Sequence, residues 1–308
     1  MKKAFFFIDD VIWVMRDLTK ERPKSLFDNP FLKMLRDAHE KYSFKVQLNL
    51  FWRTDFFYLG EEFTLAEMTD AYKDEWEASS DWLKLAFHAK QEFPGYPYAN
   101  ADYSDVYTDC STTRREIVRF AGEKSLANSL VVHWLPMSKD GCRALYDCGI
   151  RIMDASIGEK LPDEDNFELL GIDLARPRVI HKRKPETMIY RRNQHGKISY
   201  MLASYNHLTY EQVGDRRYTL DTIKDEETGL LFKDMCCGPC LDRFTMDEIV
   251  EITKGLTDYE FVGAATHEQY FYPDYFNHQP DHGDKIHTFA KAMFENGFEF
   301  FFIEELAK

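Results

Sequence analysis

The 308-residue chain has no excess of basic residues: 39 Lys and Arg stand against 53 Asp and Glu, for a formal charge of −14. A surface of that sign repels nucleic-acid phosphates and anionic lipid, which argues against both as the main partner. A small neutral or cationic ligand, such as a carbohydrate, fits better, and the charge says nothing of the oligomeric state. Long apolar runs are also missing. No stretch approaches the roughly 20 residues of a membrane span, and Met1-Lys2-Lys3 leads into a run too short for a signal-peptide core. A cytoplasmic protein is expected. Cysteine is scarce, with six in the chain, so the sequence is no disulfide scaffold and its thiols should stay reduced. No Gly/Ser-rich linker divides the chain, and residues 1–308 read as one domain.

What the chain does have is a concentrated opening. Phe5-Phe6-Phe7-Ile8 places four large apolar side chains between two lysines and the pair Asp9-Asp10. Such a run cannot alternate between core and water, so it reads as a central strand buried on both faces. Two carboxylates at its end demand partners, because burying an unpaired one costs several kcal/mol. In α/β folds the carboxyl ends of central strands are where ligands collect, which puts Asp9 and Asp10 at the mouth of a site. The alternative is that Asp9 merely caps the helix expected from Val11.

Strands and helices then alternate. Expected strands are Val46–Leu50, Leu83–Phe87, Ser129–Trp134 and Gly149–Asp154, later Tyr259–His267 and Phe298–Ile303. Expected helices include one opened by Asn29-Pro30, one over Leu65–Leu83, one capped by Ser111 to Thr113, Lys139–Cys148, one opened by the capping-box-like Thr245 to Glu248, and Asp281–Glu295. This rhythm argues for βαβ units in an α/β fold, a parallel sheet or a barrel. It breaks near Leu161: residues 162–235, with short strands at Arg178–Ile180, Thr187–Arg191, Lys197–Ala203 and Arg217–Ile223, read as an antiparallel β-rich insertion.

Several strands end on polar residues. His88 and Glu92 are four apart, and a helical turn after the third strand would let both hold one ion with Asp10. An Asp, a His and a Glu suit Zn²⁺, or Mn, Co or Ni. His133 and Trp134 end another strand as candidates for substrate binding, with a buried structural His the alternative for His133. Aromatic residues make up 15% of the chain, and Trp52 and Tyr270 stand where loops begin, as rings that could stack on a sugar or simply pack.

Phe7-Ile8-Asp9-Asp10 resembles the opening motif of the polysaccharide deacetylases, the NodB-like carbohydrate esterases, and His88-Ala89-Lys90-Gln91-Glu92 sits where their H-x-x-x-H motif would come. The resemblance implies a distorted (β/α) barrel, Asp9 as general base, Asp10, His88 and Glu92 as metal ligands, and His267 as general acid. Glu92 departs from the pattern by replacing the second His, which weakens the ion as an electrophile. The expectation is a metal-dependent hydrolase acting on a carbohydrate or a related amide or C–N bond. The alternatives are a sugar-binding or regulatory barrel without turnover, and a thiol oxidoreductase acting through Cys237 and Cys240, whose Cys-Gly-Pro-Cys string matches thioredoxin-like sites but lacks their strand and helix context.

Overall fold

A computed structural model of the chain describes residues 2–54, 62–93, 97–98, 101–135, 137–155 and 216–308. The first strand, β1 (Lys2–Val11), is buried from Ala4 to its end. Phe5 and Phe7 face one apolar cluster, and Phe6 and Ile8 face the other. Period-two alternation therefore puts apolar side chains into core on both sides, and each buried Phe contributes on the order of 1.5–3 kcal/mol.

β1 pairs in parallel with β2 (Val46–Phe51), β8 (Phe261–His267) and β9 (Phe298–Phe300), and β2 pairs in parallel with β3 (Leu83–Ala89). A second sheet runs β4 (Ser129–Leu130), β5 (Ile152–Asp154), β7 (Leu231–Lys233), β6 (Ile223–Lys224). Among the described residues β6–β7 is the one antiparallel pair of strands, and a single antiparallel bridge joins Arg53 to Thr64. Single parallel bridges outside the second sheet's strands pair Leu85 with Leu126 and Cys240 with Ala265. The result is an open, distorted barrel of mostly parallel strands whose ladder does not close among the described residues. No helix among them is long and apolar enough to cross a membrane.

The helices α1 (Trp13–Glu21), α2 (Pro30–Tyr42), α3 (Lys73–Ala78), α4 (Tyr103–Ala121), α5 (Lys139–Asp147), α6 (Met246–Gly255) and α7 (His282–Glu295) complete the layers. Two of the expected caps form. Asn29 Oδ1 accepts the amides of Phe31 and Leu32, and Thr245 and Glu248 make a reciprocal capping box.

Other expectations are corrected. The helix expected over Leu65–Leu83 is a single 3₁₀ turn, Leu65–Glu67, followed by α3. Arg119 of α4 donates to the carbonyls of Leu65, Ala66 and Met68, taking acceptors that a continuing helix would need. Ser111 to Thr113 lie inside α4, which begins at Tyr103. Asp9 does not cap α1, because β1 runs on through Val11 and the cap is made by a distant carboxylate. Glu268 accepts the amides of Ile12, Trp13 and Val14, each at 2.8 Å.

Of the expected β-rich insertion, residues 162–215 lie outside the described residues, including Arg178–Ile180, Thr187–Arg191 and Lys197–Ala203. Residues 216–218 form a turn rather than the start of a strand. Leu231–Lys233 joins the second sheet beside β5.

Candidate metal centre

Three breaks in regular backbone build the site. Asp10 has φ +61°, and the β1–β2 register shifts between Ile8 and Val11. The β2–β3 register pairs Leu50 with Phe87 and then Phe51 with Ala89, leaving His88 as the extra residue. Directly after His133, Trp134 and Leu135 have φ of +62° and +72°. A left-handed φ on a non-glycine residue costs about 1–3 kcal/mol and persists only where its surroundings enforce it. Bulges re-aim side chains out of strict alternation, and here they let both carboxylates reach one ring. His88 Nδ1 is 3.7 Å from Asp9 Oδ1, and His88 Nε2 is 3.3 Å from Asp10 Oδ1.

His133 completes a triangle. Its Nδ1 is 3.2 Å from Asp10 Oδ1 and 3.2 Å from His88 Nε2. Each ring's other nitrogen faces a carbonyl: His88 Nδ1 meets Val131 O at 2.6 Å, and His133 Nε2 meets Glu92 O at 3.0 Å. A carbonyl only accepts, so these outer nitrogens carry the protons and the inner ones present lone pairs. Asp10 is oriented in the same way. Its Oδ2 accepts from Gln269 Nε2 at 2.8 Å, while its buried Oδ1 has no hydrogen-bond donor.

Three lone pairs converging at 3.2–3.3 Å repel one another unless a positive charge lies between them. A tetrahedral ion with bonds of about 2.0–2.1 Å has donor–donor edges of about 3.3–3.4 Å, so the set fits a small divalent cation. Where the rings are protonated instead, they balance the same carboxylate. Burial works to raise the Asp10 carboxyl, but His133 and His88 hold it well below the usual range. Burial alone would lower His88, and Asp9 and Asp10 outweigh it to draw the ring upward.

The structure thus brings Asp10 and His88 together as expected and puts His133 where Glu92 was expected. The chain after β3 is not helical, so the i,i+4 geometry does not form. Glu92 is buried on the far side of the His133 ring, with Oε2 3.8 Å from Nε2. His133 therefore stands with the donor atoms rather than with the aromatic walls.

Asp9 accepts from Asn49 Nδ2 at 2.6 Å, and burial pushes its carboxyl upward against the pull of His88 and His267. It is the register partner of His267 on the neighbouring parallel strand. His267 Nδ1 lies 2.9 Å from Asp242 Oδ1. Burial disfavours the imidazolium, but Asp242 and Cys240 outweigh it and hold the ring well above its ordinary pKa; Asp242 in turn is held low, against its own burial, chiefly by His267. Asp242 was not foreseen. Its only sequence signal is an acidic residue just after Cys240.

Trp52 and Trp134 are half-buried, and the Trp134 ring lies 5.6 Å from that of His133. Tyr270 is buried among His267, Tyr275 and His282, which makes it packing behind the imidazole. The Cys-Gly-Pro-Cys string lacks the thioredoxin arrangement: Leu241–Arg243 is a 3₁₀ turn, α6 begins only at Met246, and burial pushes the Cys237 thiol up to about 12.

No protein-family model and no curated protein sequence matches the chain. A 4-alpha-glucanotransferase from Thermococcus litoralis shares the fold at TM-score 0.52 and 11% identity over 99% of this chain, which spans 40% of that protein's length. A CE4 family pseudoenzyme from Bacillus anthracis aligns over 100% of this chain and 66% of its own, at TM-score 0.46 and 8% identity. The polysaccharide deacetylase of Bacillus cereus aligns over 97% of this chain and 90% of its own, at TM-score 0.39 and 11% identity. The chain has an α/β fold of mostly parallel strands, which it shares with the glucanotransferase.

Proposed function

We propose that the protein is a metal-dependent hydrolase of the polysaccharide deacetylase-like type, acting on a carbohydrate or a related amide or C–N bond. The observation that carries this reading is the triangle of Asp10, His88 and His133 donor atoms beside Asp9. A divalent ion held there, Zn²⁺ or else Mn, Co or Ni, would polarise a substrate carbonyl as a Lewis acid.

The chain's own groups divide the proton work. Asp9 is the base that takes a proton from the attacking water. Its raised pKa makes it a better acceptor, and Asn49 fixes one of its oxygens. His267 is the acid that protonates the leaving group, kept charged by Asp242. As register partners on parallel strands, Asp9 and His267 point to the same face. Trp52 and Trp134 supply rings near the mouth for a sugar face, and Glu92 backs the His133 ring.

The test is elemental analysis of the purified protein joined to hydrolysis of a panel of acetylated sugars. One ion per chain and release of acetate from at least one substrate are expected. One ion and sugar binding without release would make the protein a binding barrel, and no ion at any loading would sink the metal reading.

A further inference from the structure

The reaction proposed above leaves Cys240 unused, yet its sulfur completes a second set of donors. Cys240 Sγ is 3.0 Å from Asp242 Oδ1 and 3.9 Å from His267 Nδ1, while Asp242 Oδ1 and His267 Nδ1 are 2.9 Å apart. All three donors lie within 4.8 Å of one another. Backbone packing fixes them there. Residues 235–240 run against β8 in parallel, with the amide of Gly238 donating to Gly263 O and that of Ala265 to Pro239 O. A Cβ on Gly263 would stand 2.0 Å from Met235 O, so only glycine allows this approach.

The set is reachable. Cys240 is half-buried and the His267 side chain is 23% exposed, whereas Asp242 beneath them is 2% exposed. A thiolate, an imidazole and a carboxylate together form a donor set for borderline-soft divalent ions.

We propose that Cys240, Asp242 and His267 form a second, thiolate-containing site for Zn²⁺ or a similar thiophilic cation, whose filling takes the proton donor out of the reaction. The inhibitory consequence rests on the reading of His267 as the acid; binding at the site does not. One divalent ion enters, and two protons leave to solvent, one from Cys240 Sγ and one from His267 Nδ1. No electrons move. The ring then keeps only its Nε2 proton, as a neutral imidazole and a far weaker acid than the imidazolium. A protein that needs one ion is thus inhibited by a second.

Cobalt titration of the whole protein tests this by absorption, because thiolate ligation gives a near-ultraviolet charge-transfer band that nitrogen and oxygen donors do not. Wild type is expected to take two equivalents, the band growing with the weaker one. Cys240→Ser should lose the band and one equivalent, the exposed Cys236→Ser should keep both, and Asp10→Asn should keep the band while losing the other equivalent. No band in wild type, or a band that survives Cys240→Ser, overturns the proposal. A band without a sulfur-free equivalent would instead sink the metal-hydrolase reading and leave this site standing.

Discussion

Two clusters at the carboxyl ends of β1, β3 and β8 contain nearly the same residue types yet differ in chemistry. In the triangle of Asp10, His88 and His133, both outward ring nitrogens face backbone carbonyls, so only lone pairs point inward. In the trio of Asp242, His267 and Cys240, protons already lie between the donors: Cys240 Sγ donates to Asp242, and His267 Nδ1 sits at hydrogen-bond distance from the same oxygen. The first cluster repels itself until a cation joins it. The second is satisfied as it stands and serves as a proton store. What separates them is where the imidazole N–H groups are spent, a choice made by neighbouring carbonyls and carboxylates.

The largest way to break this contrast is Asp10→Asn. It removes the only anion of the triangle and should strip the ion, a loss beyond the about 10–100-fold typical of a supporting residue. Elemental analysis checks it, and retention of a full equivalent would reduce Asp10 to a turn residue. Asp9→Asn comes next. It should leave the metal in place and lower turnover by roughly 10²–10⁴, the usual contribution of a positioned base. Equal metal loss in both variants would mean that the carboxylates act as a joint ligand set.

Gln269→Leu frees Asp10 Oδ2 and should weaken metal affinity by about 10–100-fold without touching a ligand, as read by competition with a chelating dye. Unchanged affinity would show that the strained backbone alone orients Asp10. The smallest effect is expected from Asp242→Asn, as a shift of pH profile. Asp242 keeps the His267 imidazolium charged as pH rises, so removing that anion lets the ring lose its proton earlier. The alkaline limb of kcat/KM should move to lower pH while the acidic limb stays. A fixed alkaline limb would mean that His267 is not the acid.

Much of the frame was legible in the chain because it is local. Four consecutive apolar residues before Asp9 can only be a strand with core on both sides, and β1 is that strand. Asn29-Pro30 and Thr245 to Glu248 satisfy amides within their own turns, so those helix starts needed no distant partner. The polar ends of successive parallel strands had to gather at one rim, which brought Asp10 and His88 together before any distance was known.

Tertiary structure decided the rest. The choice of His133 over Glu92 turned on a bend after β3 where a helical turn was expected. The lone-pair geometry turned on Val131 O, 43 residues from His88, a carbonyl that no spacing rule reveals. Asp242 acquired its role only because Gly263 lets residues 235–240 run close enough against β8 to set it under His267. The sequence by itself determined which side chains arrive at the rim, since burial periodicity and capping act within a few residues. Which nitrogen faces which oxygen was decided only by the fold, because hydrogen bonds at 3 Å depend on bulges and left-handed turns that long-range packing alone enforces.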